Sequence, residues 1–137
     1  MSFRLSERNP TPEEYNELRE SVGWPTFDHK TISKALINNL RAFVAHDSAG
    51  NVVGMARVIG DGAIYFHVQD VIVRKDFQGL GIGELLMNAV MDFIDAHSTA
   101  GTNVGLMCSI GRENFYKKYG FISRPNEKFG AGMIQIK

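Results

Sequence analysis

The chain has 137 residues, 44% hydrophobic and 22% charged, the proportions of one globular domain over residues 1–137 that can bury a substantial core. Lys+Arg and Asp+Glu both number 15, so no net field draws the chain to nucleic acid or to an anionic membrane surface. The single Cys108 excludes an internal disulfide framework, and neither a long apolar run nor a signal-peptide core is visible, so a soluble cytoplasmic protein is expected.

In chain order, Phe3-Arg4-Leu5 alternates and predicts a short strand, which Asn9-Pro10-Thr11-Pro12 breaks. Thr11 or Asn9 can cap a helix whose first turn holds Pro12, Glu13 and Glu14, and which ends at Gly23. The bend Val22-Gly23-Trp24-Pro25 holds the only tryptophan, and a second helix is predicted from about His29 to Leu40. A meander of three strands follows: Arg41 to His46, Val52 to Ile59 and about Ala63 to Val73, with turns at Asp47–Asn51 and Gly60–Gly62. Alternation along the third strand puts Tyr65, His67 and Gln69 on one face and Phe66, Val68 and Asp70 on the other. A β-bulge, common beside active sites, would reverse the placing of Asp70.

That strand ends in Val71-Ile72-Val73 and runs through Arg74-Lys75-Asp76 into Gln78-Gly79-Leu80-Gly81-Ile82-Gly83. Leu85, Leu86, Ala89, Val90, Phe93 and Ile94 then recur at the spacing of one helical face. A helix N-terminus has unpartnered N–H groups and partial positive charge, and glycines let an anion approach them, so the junction points to a phosphate ligand. The dinucleotide fingerprint fails, because Glu84 stands where its third glycine belongs, and there is no Gly-Lys-Ser/Thr of a phosphate-loop NTPase. Beyond Ser98-Thr99-Ala100-Gly101, Val104 to Cys108 predicts a strand parallel to its predecessor, reached by a right-handed crossover. Gly111 to Tyr119 predicts a short helix stopped by Gly120, Phe121 starts another strand, and Met133 to Lys137 closes the sheet.

Residues Gln78 to Gly83 fit the pattern Arg/Gln-x-x-Gly-x-Gly/Ala, and Phe115-Tyr116-Lys117-Lys118-Tyr119-Gly120-Phe121 fits Phe-Tyr-x-x-x-Gly-Phe. On these two motifs the chain resembles the GNAT superfamily of acyl-CoA-dependent N-acyltransferases, from roughly Phe43 to Phe121. The resemblance implies an α+β fold: a mixed, mostly antiparallel sheet of about six to seven strands with about four helices. It also implies an acetyl-CoA co-substrate, with Val71, Ile72 and Val73 pairing with the pantetheine and Gln78, Gly79, Leu80, Gly81, Ile82 and Gly83 cradling the diphosphate. Ser109 stands where many members place a pantetheine-binding asparagine, and Phe115 adjoins the motif tyrosine.

Acyl transfer from a thioester needs a neutral amine and a proton for the departing thiolate, without a covalent enzyme intermediate. By the resemblance, Tyr116 is the general acid beside the sulfur. His67 and Asp70 are rival candidates for the base, and Gln69 shares the acceptor position with His67. Trp24 and Phe27 fall in the loop that covers the acceptor pocket, although Trp24 could equally be a packing anchor. The string Gly54-Met55-Ala56-Arg57, then Asp61, then Asp70 to Val73, looks like chloroplast and cyanobacterial serotonin N-acetyltransferases. It implies a small aralkylamine or polyamine, with Trp24, Phe27, Tyr65 and Asp70 forming an aromatic, anionic pocket. No His/Cys/carboxylate spacing suggests a metal. A homodimer through the C-terminal strand or a sheet edge fits the pattern, and the alternative to an enzyme is a non-catalytic acyl-CoA-binding or protein-interaction domain of this fold.

Overall fold

The computed structural model describes residues 2–137, and its frame is a five-stranded sheet in the order β1-β2-β3-β4-β5. The strands are β1 (Arg4–Ser6), β2 (Arg41–His46), β3 (Val52–Gly60), β4 (Tyr65–Val73) and β5 (Asn103–Gly105). The first four pair antiparallel, and β5 joins β4 in parallel. Four α-helices accompany them: α1 (Pro12–Ser21), α2 (His29–Ile37), α3 (Ile82–His97) and α4 (Glu113–Lys117).

Each face of the sheet carries its own core. On one face α3 buries Ile82, Leu86, Met87, Val90 and Ile94 against Phe43, Ala45, Val53, Ala56, Val58, Phe66 and Val68. Each of those helix side chains is at most 1% exposed, a gain of about 1.5–3 kcal/mol apiece for side chains of this size. On the other face α1 and α2 bury Tyr15, Leu18, Ile32 and Leu36 against Val44, Met55 and Ile72. Of the two expected caps, Thr11 and Asn9, it is Thr11 that caps α1, in a complete capping box with Glu14, while Asp28 caps α2 by accepting from the Thr31 N–H.

The expected boundaries shift in four places. The second helix stops at Ile37 instead of Leu40, because the Leu40 N–H already bonds Val58 of the sheet. Strand β4 starts at Tyr65, since Asp61 gathers the N–H groups of Ala63, Ile64 and Tyr65 on one carboxylate oxygen. Strand β5 ends at Gly105 and does not reach Cys108. The sheet has five strands where about six to seven were expected, because Phe121 and Met133 to Lys137 lie outside it. Residues 122–137 are all exposed, and β5, the edge strand of the sheet, is paired over three residues only.

A bulge in β4 sets up everything that follows. The register runs Met55↔Ile72 and then Arg57↔Gln69, so Ala56 faces both Asp70 and Val71. Asp70 sits at φ 53°, the only non-glycine residue with positive φ among those described. Before the bulge Phe66 and Val68 point to α3; after it Ile72 points to α1 and α2. The plain alternation is therefore corrected: Asp70 leaves the face of Phe66 and Val68 and turns toward α1.

Candidate active site

Parallel pairing between β4 and β5 covers only Tyr65–His67 against Asn103–Gly105. Beyond it the two chain segments separate, and the gap is a cleft of about 900 Å³. One wall is Val71, Ile72 and Val73 with the glycine loop; the facing wall is Ser109, Ile110, Arg112, Phe115 and Tyr116. Residues Glu20 to Trp24, at the end of α1, close a third side.

The glycine loop serves this cleft through its backbone. Gly79 and Gly81 have φ of 80° and 87°, a conformation that other residues adopt only under strain, and Gly81 is the N-cap of α3. A side chain at Gly83 would instead press on the Phe115 ring, with its Cβ 3.3 Å from Cζ. The first intrahelical donor of α3 is the Leu85 N–H, bonded to the Gly81 carbonyl. Among the described residues nothing accepts from the N–H groups of Gly79, Leu80, Gly81, Ile82, Gly83 or Glu84. Six unpartnered donors in and after a glycine turn, at the positive end of a 16-residue helix, are suited to a phosphate group.

On the opposite wall, Tyr116 is held by rings: Phe115 at 5.0 Å and Phe121 at 6.2 Å between centroids, both edge-on. Burial pushes its phenol up to about 12, with the nearby Cys108 thiol adding to the rise and the Arg112 guanidinium opposing it. The phenol therefore keeps its proton throughout the neutral range and can donate a hydrogen bond into the cleft. Cys108 itself is raised by burial and by Glu113, whose carboxylate accepts from Sγ at 3.5 Å, so it is a poor nucleophile.

The other predicted residues are placed differently. Asp70, 3% exposed, accepts from Tyr15 Oη at 2.6 Å, Arg19 Nη1 at 3.0 Å and Arg57 Nε at 2.9 Å. That carboxylate is saturated by two cations and a phenol, so the expectation of Asp70 as a free base and as the anionic floor of an acceptor pocket is corrected. Trp24 lines the cleft, but the Arg19 guanidinium already stands over its ring at 5.4 Å and over that of Phe27 at 5.1 Å. Phe27 and Tyr65 are 48% and 62% exposed and lie outside the cleft lining. His67 and Gln69 form a half-buried pair, Nε2 to Oε1 at 3.2 Å, also outside it. Leu80 contributes no side chain to the lining.

Tyr15, Arg19 and Arg57 were not singled out from the sequence as site residues, although Arg57 carried a signal. It is the one charge in the otherwise uncharged run VVGMARVIG, and a guanidinium in a buried strand requires an acidic partner.

Residues 11–137 match the family model described as an acetyltransferase (GNAT) domain. A chloroplastic serotonin N-acetyltransferase of Oryza sativa is 31% identical over 125 residues, 89% of this chain and 62% of that protein. An uncharacterized N-acetyltransferase of Pyropia yezoensis is 29% identical over 127 residues, 90% of this chain and 72% of that protein. Among solved structures, a Staphylococcus aureus protein described as a probable acetyltransferase superposes with a TM-score of 0.89 at 30% identity, covering 98% of this chain and all of that one. A GNAT-family acetyltransferase from Streptococcus pneumoniae gives 0.82 at 28% identity, covering 99% and 98%.

Proposed function

Because the chain belongs to the GNAT acetyltransferase family, we propose that it acetylates the primary amine of a small acceptor directly from acetyl-CoA, with Tyr116 as the group that meets the departing sulfur. One observation carries the reading: a protonated, ring-held phenol faces a strand that leads into a turn of unpartnered N–H groups, all within one cleft. The cleft is of the size that small-molecule sites occupy. Val71, Ile72 and Val73 would hold the pantetheine arm through their backbone, Gln78 to Gly83 the diphosphate, and Ser109 and Phe115 the facing side. Bound there, acetyl-CoA supplies the acyl group as an activated thioester.

The residues then divide the remaining work. A phenol near 12 holds its proton more tightly than an ordinary thiol at about 8.5. Tyr116 Oη therefore acts first as a hydrogen-bond donor to negative charge developing on sulfur, and gives up its proton only as another arrives. With Asp70 occupied, His67 is the remaining candidate on β4 for the ammonium proton; it lies outside the cleft lining, so the proton would reach it through water, and His67→Gln is expected to lower kcat about tenfold.

We take the acceptor to be an aralkylamine in preference to a polyamine. The rice relative is named for serotonin, an amine of that class. In support, Asp70 is neutralised by Arg19 and Arg57, and Arg19 occupies the faces of Trp24 and Phe27, so on the α1 side of the cleft a second ammonium would meet Glu20 alone. Thioester consumption with tryptamine, serotonin, tyramine, spermidine and a peptide amine tests this. Turnover confined to the aromatic amines is expected; preference for spermidine or the peptide overturns the acceptor assignment. Coenzyme binding with no turnover on any amine would leave a sensor of acyl-CoA in its place.

A further inference from the structure

Arg112 is a residue that the two sequence motifs pass over, and it crosses the cleft. It is the N-cap residue of α4, on the Ser109–Tyr116 wall. Its Nη2 donates to Gln78 Oε1 at 3.3 Å, on the opposite wall and 34 residues away in sequence. The same Gln78 amide turns its Nε2 to the Val73 carbonyl at 3.1 Å. Arg112, Gln78 and Val73 thus form a strap across the mouth of the cleft.

Two features of the strap suggest that it is a resting arrangement. A 3.3 Å bond from a guanidinium to a neutral amide is long for a charged donor, which prefers about 2.7–2.9 Å to an anionic oxygen. Arg112 is also exposed and makes no ion pair among the described residues, although its fork is suited to bidentate phosphate recognition. α4 packs on the glycine loop through Phe115, whose ring lies against Gly83, so the base of the Arg112 side chain sits beside the loop.

We propose that Arg112 is a diphosphate-binding residue that exchanges the Gln78 amide for the coenzyme's diphosphate, releasing the Val73 carbonyl as it does so. The inference rests on the acetyl-CoA reading above. The diphosphate is preferred to the 3′-phosphate because the guanidinium already touches the first residue of the glycine loop, where the unpartnered N–H groups begin.

Isothermal titration of the wild type, Arg112→Ala and Arg112→Lys with coenzyme A, 3′-dephospho-coenzyme A and pantetheine tests it. Arg112→Ala is expected to weaken coenzyme A and dephospho-coenzyme A alike, about ten- to a hundredfold, and to leave pantetheine within twofold. Arg112→Lys should recover part of the loss but not all, since a point charge replaces a fork. An equal loss for all three ligands means a structural role and overturns the proposal, as does a loss that vanishes with dephospho-coenzyme A, which would place the contact on the 3′-phosphate. A wild type that binds none of them removes the acetyl-CoA reading itself; a wild type that binds all three with an unchanged Arg112→Ala removes only the role of Arg112.

Discussion

The wall of the cleft that runs from Val71 through the glycine loop into α3 offers main-chain groups, whereas the neighbouring region between α1, β3 and β4 is organised by side chains. The stretch from Val71 to Glu84 makes the first, with glycines at φ of 80° and 87° and a helix start. The second joins Tyr15 and Arg19 of α1, Arg57 of β3 and Asp70 of β4, separated by up to 55 positions. Main-chain recognition suits a ligand part that never changes, such as a diphosphate. None of the four residues of the side-chain cluster lines the cleft, so its work is to hold the fold beside it. The cluster also holds Asp70 at its bulge, three residues beyond His67, the last β4 residue paired with β5.

The sharpest way to separate the two is to remove Asp70. Asp70→Ala leaves Arg19 and Arg57 buried without their counter-charge, and a loss of about 3–5 kcal/mol is expected, read as a fall in Tm of roughly 10–20 °C. Calorimetry showing a loss under about 1 kcal/mol would mean the cluster is not what holds the bulge. Next in size, Tyr116→Phe is expected to lower kcat about a hundredfold while the acetyl-CoA Kd moves less than about threefold. A normal kcat in that variant would remove the phenol from the chemistry. Smaller still is Gly81→Val, where the space beside the backbone is open and only the φ of 87° resists. A strain of about 1–3 kcal/mol should fall on the loop, so coenzyme affinity drops about tenfold or more. Unchanged affinity there would break the idea that loop geometry makes the phosphate site.

What could be read from the residues follows the same division. The glycine loop, the α3 face and the Phe-Tyr segment were legible because each is local: spacing within a dozen residues fixes them. The start of α1 was legible for the same reason, although its residues did not decide between Thr11 and Asn9 as the cap. Asp70 was recognised as chemically important but given the wrong work, since its partners Tyr15 and Arg19 lie more than 50 residues upstream and only the fold brings them together. The bulge could be anticipated as an alternative but not decided, because period-two alternation cannot reveal one extra residue in a strand. Met133 to Lys137 was expected to close the sheet, yet a strand needs a partner edge that local sequence does not specify, and among the described residues this segment pairs with none.

A titration at alkaline pH compares one tyrosine from each side of the cleft. Tyr15 and Tyr116 are both pushed up to about 12, in each case mainly by burial. Tyr15 has in addition the Asp70 carboxylate, to which it donates at 2.6 Å, with Arg57 and Arg19 opposing the rise. Below about pH 10 folded and unfolded chains both keep these protons, so neither tyrosine makes stability depend on pH. Between about pH 10 and 12 the unfolded chain releases them and the folded chain does not, so stability falls as pH rises through that window. Each tyrosine adds at most about 1.4 kcal/mol per pH unit to the slope. Urea midpoints at pH 8, 10, 10.5 and 11 should therefore decline more steeply for the wild type than for Tyr15→Phe or Tyr116→Phe. The variants differ at pH 8, where both tyrosines are protonated. Tyr15→Phe strips a hydrogen bond from the buried Asp70 and should already be weaker by about 1.5–3 kcal/mol, while Tyr116→Phe, with no such bond among the described residues, should stay within about 1 kcal/mol. Equal midpoints for the two at pH 8 would mean that the Asp70 cluster is held by its arginines alone, and that Tyr15 is a packing residue of α1.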